Sequence, residues 1–308
     1  MRNTFVKTLV DIAEKDDNIC LITGDLGFGV LNPFIEKFPN RFINAGIAEQ
    51  NMTGVAAGMA KEGKTVVTYS IGNFPTMRCL EQIRNDCAYH NANVKIVCVG
   101  GGFVYGAHGM SHHATEDIAI IRALPEVIVF APGDLVEAEE VTKAMINYKG
   151  TCYLRLGKGG EKRIHEKIEN FKIGKAIKIS EGSDIAIFST GAILDEAVKV
   201  REELEKEGLK VAEYSFPTVK PIDEKVIIEN TNKCKLIVTI EEHNIIGGLG
   251  GAVAEVMAEN RGGAKLLRIG LNDEYTSIVG TQAYLREQYG ISSEKITKRI
   301  LEKLKEEK

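Results

Sequence analysis

Apolar and polar positions follow two rhythms along this chain. Thr4–Glu14 places Phe5, Val6, Leu9, Val10 and Ile12 on one face at helical spacing, whereas Asn18–Thr23 (NICLIT) is a short apolar run ending at Gly24. The first pattern predicts a helix and the second a buried strand. FINAGI then reads as extended, Glu49–Lys61 as a helix closed by Gly63, KTVVTYS as a strand and Thr76–Tyr89 as a helix. Val94–Val99 is a further strand, passing into the glycine-rich stretch GGGFVYGAHGMSHHATED. A helix over Asp117–Leu124, a strand over Val127–Ala131, a helix over Asp134–Tyr148 and a strand over Tyr153–Leu156 follow. The pattern weakens into a charged stretch from Gly157 to about Ile179 and then resumes. Strand DIAIFST, helix LDEAVKVREELEKEG, strands VAEYSF and KLIVTIEE, helix GGAVAEVMAEN, strand AKLLRIG and the amphipathic helix SSEKITKRILEKLKEE complete it.

Alternation of this kind predicts an α/β protein of two domains, each a largely parallel sheet flanked by helices. The expected boundaries are 1–157 for the first domain, 158–171 for a connector and 172–308 for the second. In such sheets functional groups gather in the loops beyond the carboxyl ends of the strands. Here those loops are the glycine-rich ones.

Composition narrows the classes. A length of 308 residues suits two domains, and 39 basic against 43 acidic side chains leave a net charge of −4. Mixed charge without a basic face argues against a nucleic-acid partner. No apolar run approaches a membrane span, and the N-terminus lacks a signal-peptide core, so the expected location is cytoplasmic. Six cysteines without a C-x-x-C pair, most of them in apolar surroundings, are expected as buried hydrophobes.

Four segments carry candidate chemistry. Glu49 opens a helix whose following residues Gly54, Ala56, Ala57, Gly58 and Ala60 are small, which suits close packing against another helix or a ligand. A helix-start carboxylate that simply gains from the helix dipole is the bland alternative. His108, His112 and His113 fall within six residues of a glycine-rich loop. Zinc is disfavoured there because no Cys or second His lies at ligand spacing, whereas a neutral imidazole could transfer protons. Phe74, at the end of a strand, could stack on a flat ring. GGLGG in EEHNIIGGLGGAVAE departs from the dinucleotide pattern G-x-G-x-x-G and reads as a tight turn packed against a helix.

Taken in order, these segments resemble the C-terminal half of transketolase over nearly the whole chain. GIAEQNM resembles the stretch with the catalytic glutamate of thiamine-diphosphate enzymes, and FPTMRCLEQIRND the loop and helix that hold the aminopyrimidine. HGMSHHATEDIAIIRALPEVIVFAPGD resembles the histidine loop of transketolases and deoxyxylulose-phosphate synthases, and EEHNIIGGLGGAVAE a signature shared with 2-oxoacid dehydrogenase β-subunits. The resemblance implies that Glu49 hydrogen-bonds N1′ of the aminopyrimidine and that Phe74 stacks on the ring. It also implies that His112 relays protons near the 4′-amino group, that Asp25 lies near the cofactor, and that Arg155 and Arg2 grip a sugar phosphate. His108 and His113 are expected on the substrate side.

Departures from the family pattern shape the expected function. Gly29 stands where a phosphate-assisting serine is expected, and Gly100 and His108 where a histidine and an aspartate read substrate hydroxyls, so the sugar is expected to differ. The family's magnesium-diphosphate motif, G-D-G followed by Asn, is missing from the sequence; Gly24-Asp25-Leu26 is the nearest string. No metal site is therefore expected on this chain. The resemblance implies a split enzyme with thiamine diphosphate as cofactor. An N-terminal transketolase subunit with the G-D-G and Asn motif would hold Mg²⁺, in a heterotetramer of two chains of each kind. The expected reaction transfers a two-carbon ketol unit between sugar phosphates. A deoxyxylulose-phosphate-synthase-like enzyme, a 2-oxoacid dehydrogenase β-subunit and a catalytically silent scaffold subunit stay open as alternatives.

Overall fold

Residues 1–306 are described by a computed structural model; Glu307, the end of the last expected helix, and Lys308, the expected domain end, lie outside them. Among the described residues twelve strands form two sheets: β1 (Ile19–Thr23), β2 (Phe42–Asn44), β3 (Thr65–Ile71), β4 (Val94–Val99), β5 (Val127–Phe130), β6 (Thr151–Leu156), β7 (Ile177–Ser180), β8 (Ile185–Thr190), β9 (Val211–Ser215), β10 (Thr218–Lys220), β11 (Leu236–Asn244) and β12 (Lys265–Leu271). The first sheet has the order β10-β5-β6-β4-β3-β1-β2 and the second β12-β11-β8-β9-β7. Only the edge strands β10 and β7 run antiparallel to their neighbours. This is the two-domain, mainly parallel α/β fold that the alternation predicts.

The apolar runs become strands because the first sheet is covered on both faces. Alternate residues of one strand point to opposite sides. Leu21, Val67, Tyr69 and Val97 join a core under the helices Arg2–Ala13 and Leu135–Asn147. Ile22, Val66 and Ile96 join a second core with Met52, Ala56 and Ala57 of the helix Glu49–Lys61. The second sheet repeats the scheme. Ile185, Val238 and Ile240 pack towards the helices Leu194–Lys206 and Ser293–Lys305, and Phe188 and Ile237 towards Leu249–Glu259. Phe103, from the glycine-rich loop of the first half, is buried in the core of the second domain.

A carboxylate of the first domain anchors the charged connector. Asp134 caps the helix Leu135–Asn147 by accepting from the Glu137 N–H at 2.8 Å. Its other oxygen accepts from the amides of Ile164 and His165 at 2.9 and 2.8 Å.

Several elements differ from the sequence reading. The helix expected over Thr76–Tyr89 starts only at Leu80 and passes into a π-type turn over Ile83–Ala88. The Thr76 hydroxyl donates to the Gly72 carbonyl at 2.9 Å, closing a turn that presents Phe74 instead of starting the helix. The helices Asn32–Lys37, Glu224–Lys233 and Gln282–Gln288 and the short strands β7 and β10 have no counterpart in the sequence reading.

Candidate active site

Strands β2, β1, β3 and β4 are parallel neighbours, so the loops that leave their carboxyl ends line one edge of the sheet. Asp25 follows β1, Glu49 follows β2, Phe74 follows β3 and His108–His113 follow β4. Glu49 is the first residue of its helix, where unpaired backbone N–H groups favour a carboxylate. Its side chain is 2 % exposed, and Oε2 accepts from Arg78 Nη1 at 2.6 Å. The Arg78 guanidinium also lies 4.8 Å from the centre of the Phe74 ring. One flat cation thus touches both the buried acid and the aromatic face.

The histidine loop reaches the same ring. His112 meets Phe74 edge-on with 5.2 Å between ring centres, and His108 lies 5.0 Å from His112. Ser111 Oγ is 3.0 Å from His112 Nδ1. Burial holds the His112 imidazole below its ordinary pKa, and the neighbouring His108 and His113 add to the effect. The ring is therefore neutral at physiological pH, as a proton relay requires.

Not every expected residue faces this edge. His113 is buried, with Nδ1 2.6 Å from Thr276 Oγ1 and Nε2 3.1 Å from the Gly106 carbonyl. Both ring nitrogens are engaged inside the protein, which corrects the expectation of a substrate contact. Arg155 needs the same correction. Its Nε donates to Asp117 at 2.8 Å, and Nη2 donates to the carbonyls of Ala114 and Glu242 at 2.8 and 2.9 Å. The whole strand Thr151–Leu156 is buried, so this guanidinium is spent on interior partners.

Asp25 is exposed, and its carboxylate accepts from Asn44 Nδ2 at 2.9 Å, joining the β1 and β2 loops. Arg2 is half-buried near Tyr105. Burial pushes the Tyr105 phenol up while the Arg2 guanidinium pulls it down. A cation absent from the sequence reading completes the edge. Lys158, exposed just beyond β6, carries its ammonium 5.0 Å from the Tyr105 ring centre. That ring lies 5.7 Å from His108 and 6.4 Å from His112. Lys158 stands three residues after Arg155 in the same RLGK string, where the strand has ended and the chain has left the core.

The GGLGG turn carries no ligand chemistry of its own. Glu241 accepts from the amides of Leu249 and Gly250 at 2.7 and 2.8 Å, so the helix N-terminus behind the turn is already capped. The six cysteines are free and buried. Among the described residues, no helix is long and apolar enough to cross a membrane. Asp134, Glu137 and His165 form the one group of three or more His, Cys, Asp or Glu side chains, among the described residues, whose ligand atoms lie close enough to suit a metal. It joins the start of the helix Leu135–Asn147 to the connector and lies outside the histidine loop.

Comparison with known proteins identifies the family. The family described as "Transketolase, pyrimidine binding domain" matches residues 1–160, and "Transketolase, C-terminal domain" matches residues 174–296. A Methanocaldococcus jannaschii protein named as a transketolase C-terminal section is 42 % identical, covering 100 % of this chain and 97 % of its own length. A 6-deoxy-6-sulfo-D-fructose transketolase subunit from a Clostridium species is 34 % identical, covering 97 % of this chain and 92 % of its own. A solved structure described as a split gene transketolase, inactive β4 tetramer, superposes with a TM-score of 0.89 at 33 % identity, covering 98 % of this chain and 97 % of that one. The chain belongs to the transketolase family and corresponds to its C-terminal section.

Proposed function

We propose that this chain supplies the aminopyrimidine-facing half of a split transketolase active site, in which a two-carbon ketol unit passes between anionic sugars. The observation that carries this reading is the arrangement of Glu49, Arg78 and Phe74. A planar nitrogen-bearing cation lies at once on the Phe74 ring and against the buried Glu49 carboxylate. The same space fits a flat nitrogen heterocycle with one ring nitrogen directed at the acid.

Thiamine diphosphate, when bound, supplies a carbon nucleophile and an electron sink for cleaving the bond beside a ketone. The residues of this chain prepare the site for that chemistry. Glu49 holds a proton at the ring nitrogen, Phe74 fixes the ring plane, and Asp25 borders the cofactor from the next loop. His112, kept neutral by burial, takes and returns the proton of a substrate hydroxyl. His108 faces the substrate beside it. Lys158 and Arg2, grouped around Tyr105, offer the charge for a phosphate or sulfonate at the far end of the sugar. The sulfo-sugar subunit among the relatives supports an anionic substrate class.

The diphosphate and Mg²⁺ belong to a second subunit with the G-D-G and Asn motif, in a heterotetramer of two chains of each kind. Exposed apolar side chains around the site support a partner there. Phe28 and Ile47, each 80 % exposed, flank Asp25 and Glu49, and Met77 and Met110 lie on the adjoining loops. Gly54 and Gly58, on the exposed side of the Glu49 helix, have nothing packed against them. The test combines the chain with a G-D-G-bearing partner and compares ketose phosphates with pyruvate as donors. Ketol transfer is expected from the mixture, and weak or no cofactor binding from the isolated chain. Pyruvate decarboxylation without ketol transfer would overturn the reading.

A further inference from the structure

Glu242 lies on β11, in the second domain, and touches neither Phe74 nor His112. It is 2 % exposed and yet carries four hydrogen bonds on its carboxylate. Oε1 accepts from the backbone N–H of Phe103 at 2.5 Å and from Gln282 Nε2 at 2.9 Å. Oε2 accepts from Arg286 Nε at 2.5 Å and from Gln282 Nε2 at 3.1 Å. Arg286 is fixed in turn by the Ala192 carbonyl at 3.0 Å and by Asp195 at 3.4 Å. A carboxylate with this many donors is a rigid acceptor.

Phe103 begins the loop that bears His108 and His112, and Ala114 ends it. The loop is closed at its base, where Gly102 and Ala114 exchange backbone hydrogen bonds of 2.8 and 3.1 Å. Glu242 reaches both ends. Its carboxylate holds the Phe103 N–H, and its backbone carbonyl accepts from Arg155 Nη2, which also donates to the Ala114 carbonyl. The Phe103 ring is sunk in the second domain's core, 5.4 Å from the Tyr289 ring. Gly102 sits at φ +64°, and a side chain there would collide with the Glu242 carboxylate. Between the clamped ends the loop has two short 3₁₀ turns, and Asn73 Nδ2 donates to the carbonyls of Ser111 and His113 at 3.3 and 2.7 Å.

Resting on the functional reading above, we propose that Glu242 is a positioning residue, through which the second domain sets the place of the His112 loop at the active-site edge. The glutamate does no chemistry and touches no substrate. Removing it takes the acceptor from the Phe103 N–H, loosens the base of the loop and lets the His112 segment shift towards solvent.

The test reads His112 directly in the isolated full-length chain, by NMR titration of its ring proton in wild type, Glu242→Ala, Glu242→Gln and Gly102→Ala. His112 faces Phe74, Tyr105, His108, His113 and Ser111, with Arg78 across Phe74 and Lys158 and Arg2 around Tyr105. Burial and the two neighbouring imidazoles hold its midpoint down, so release of the loop should raise it towards the free imidazole value. A rise is expected in Glu242→Ala and in Gly102→Ala, with partial recovery in Glu242→Gln, which keeps one acceptor oxygen. Gly102→Ala forces the loop base and the Glu242 carboxylate apart while keeping both Glu242 and Arg286 in the chain, so the idea stays testable if Glu242→Ala does not fold. An unmoved His112 midpoint in the folded variants would overturn the proposal. The readout needs neither partner nor turnover, so failure of the split-transketolase reading would show separately, as absent ketol transfer in the wild-type complex.

Discussion

Arg78 Nη1 lies 2.6 Å from Glu49 Oε2 while the same guanidinium sits 4.8 Å from the Phe74 ring centre. The acid is almost completely buried, and the arginine, 46 % exposed, can swing away into solvent. In the proposed site a cofactor ring takes the same ground, so Arg78 must yield to it. Replacing Arg78 with Gln should therefore tighten cofactor binding in the reconstituted complex. The half-exposed pair is screened and amounts to about 1 kcal/mol, or roughly fivefold in affinity. The isolated chain should lose a little thermal stability, because Glu49 loses its counter-charge. Calorimetric titration checks the affinity, and a clear weakening would mean that Arg78 holds the ring instead of making way for it.

Lys158 and Arg155 separate a surface charge from an interior one. Lys158→Ala should raise the KM of a phosphorylated sugar roughly tenfold, the scale of one lost hydrogen bond to a charged group. Its melting temperature should stay near wild type. Arg155→Met leaves Asp117 buried with only the Tyr153 hydroxyl as a side-chain partner, at 2.5 Å. Breaking a buried pair on one side costs about 3–5 kcal/mol, so this variant should unfold far more readily. Steady-state kinetics with thermal melts distinguish the two, and a Lys158→Ala enzyme with unchanged KM would remove that lysine from the substrate site.

The capped turn behind GGLGG has a pH signature. Burial raises the Glu241 carboxyl to about 7, against the lowering effect of two backbone N–H donors. The folded chain then holds this proton where the unfolded chain, with an ordinary value of 4.5, has released it. The stability this group contributes is full below the unfolded value and is lost as pH rises through about 7. Glu241→Gln removes the titration, so its melting temperature should fall less than that of wild type between pH 4.5 and 7. Parallel melting curves for the two proteins over that range would count against it.

Much of the fold was legible because its central strands are buried on both faces. NICLIT and VKIVCV stand out as unbroken apolar runs, and the Glu49 helix starts and ends where its sequence indicates. Strands β7 and β10 escape notice because they are edge strands of three or four residues with polar members. Of the site, Glu49, Phe74 and His112 could be singled out from local motifs, and the sheet brings them to one edge. Arg78 and Lys158 could not, since each gains its meaning from an aromatic ring distant in sequence or across a loop. Arg155 misleads for the converse reason. An arginine near a strand end invites a phosphate, yet the pairing of β6 between β4 and β5 turns it onto Asp117.

Glu49 carries the central claim, and one substitution tests it most directly. Turnover of ketol transfer should be compared between wild type and Glu49→Ala, each mixed with the G-D-G-bearing partner at saturating cofactor. A fall of roughly 10²–10⁴, the range for loss of an acid–base group, is the expected result. Activity within about threefold of wild type, well short of that range, would contradict the catalytic role of Glu49 and with it the proposed active site.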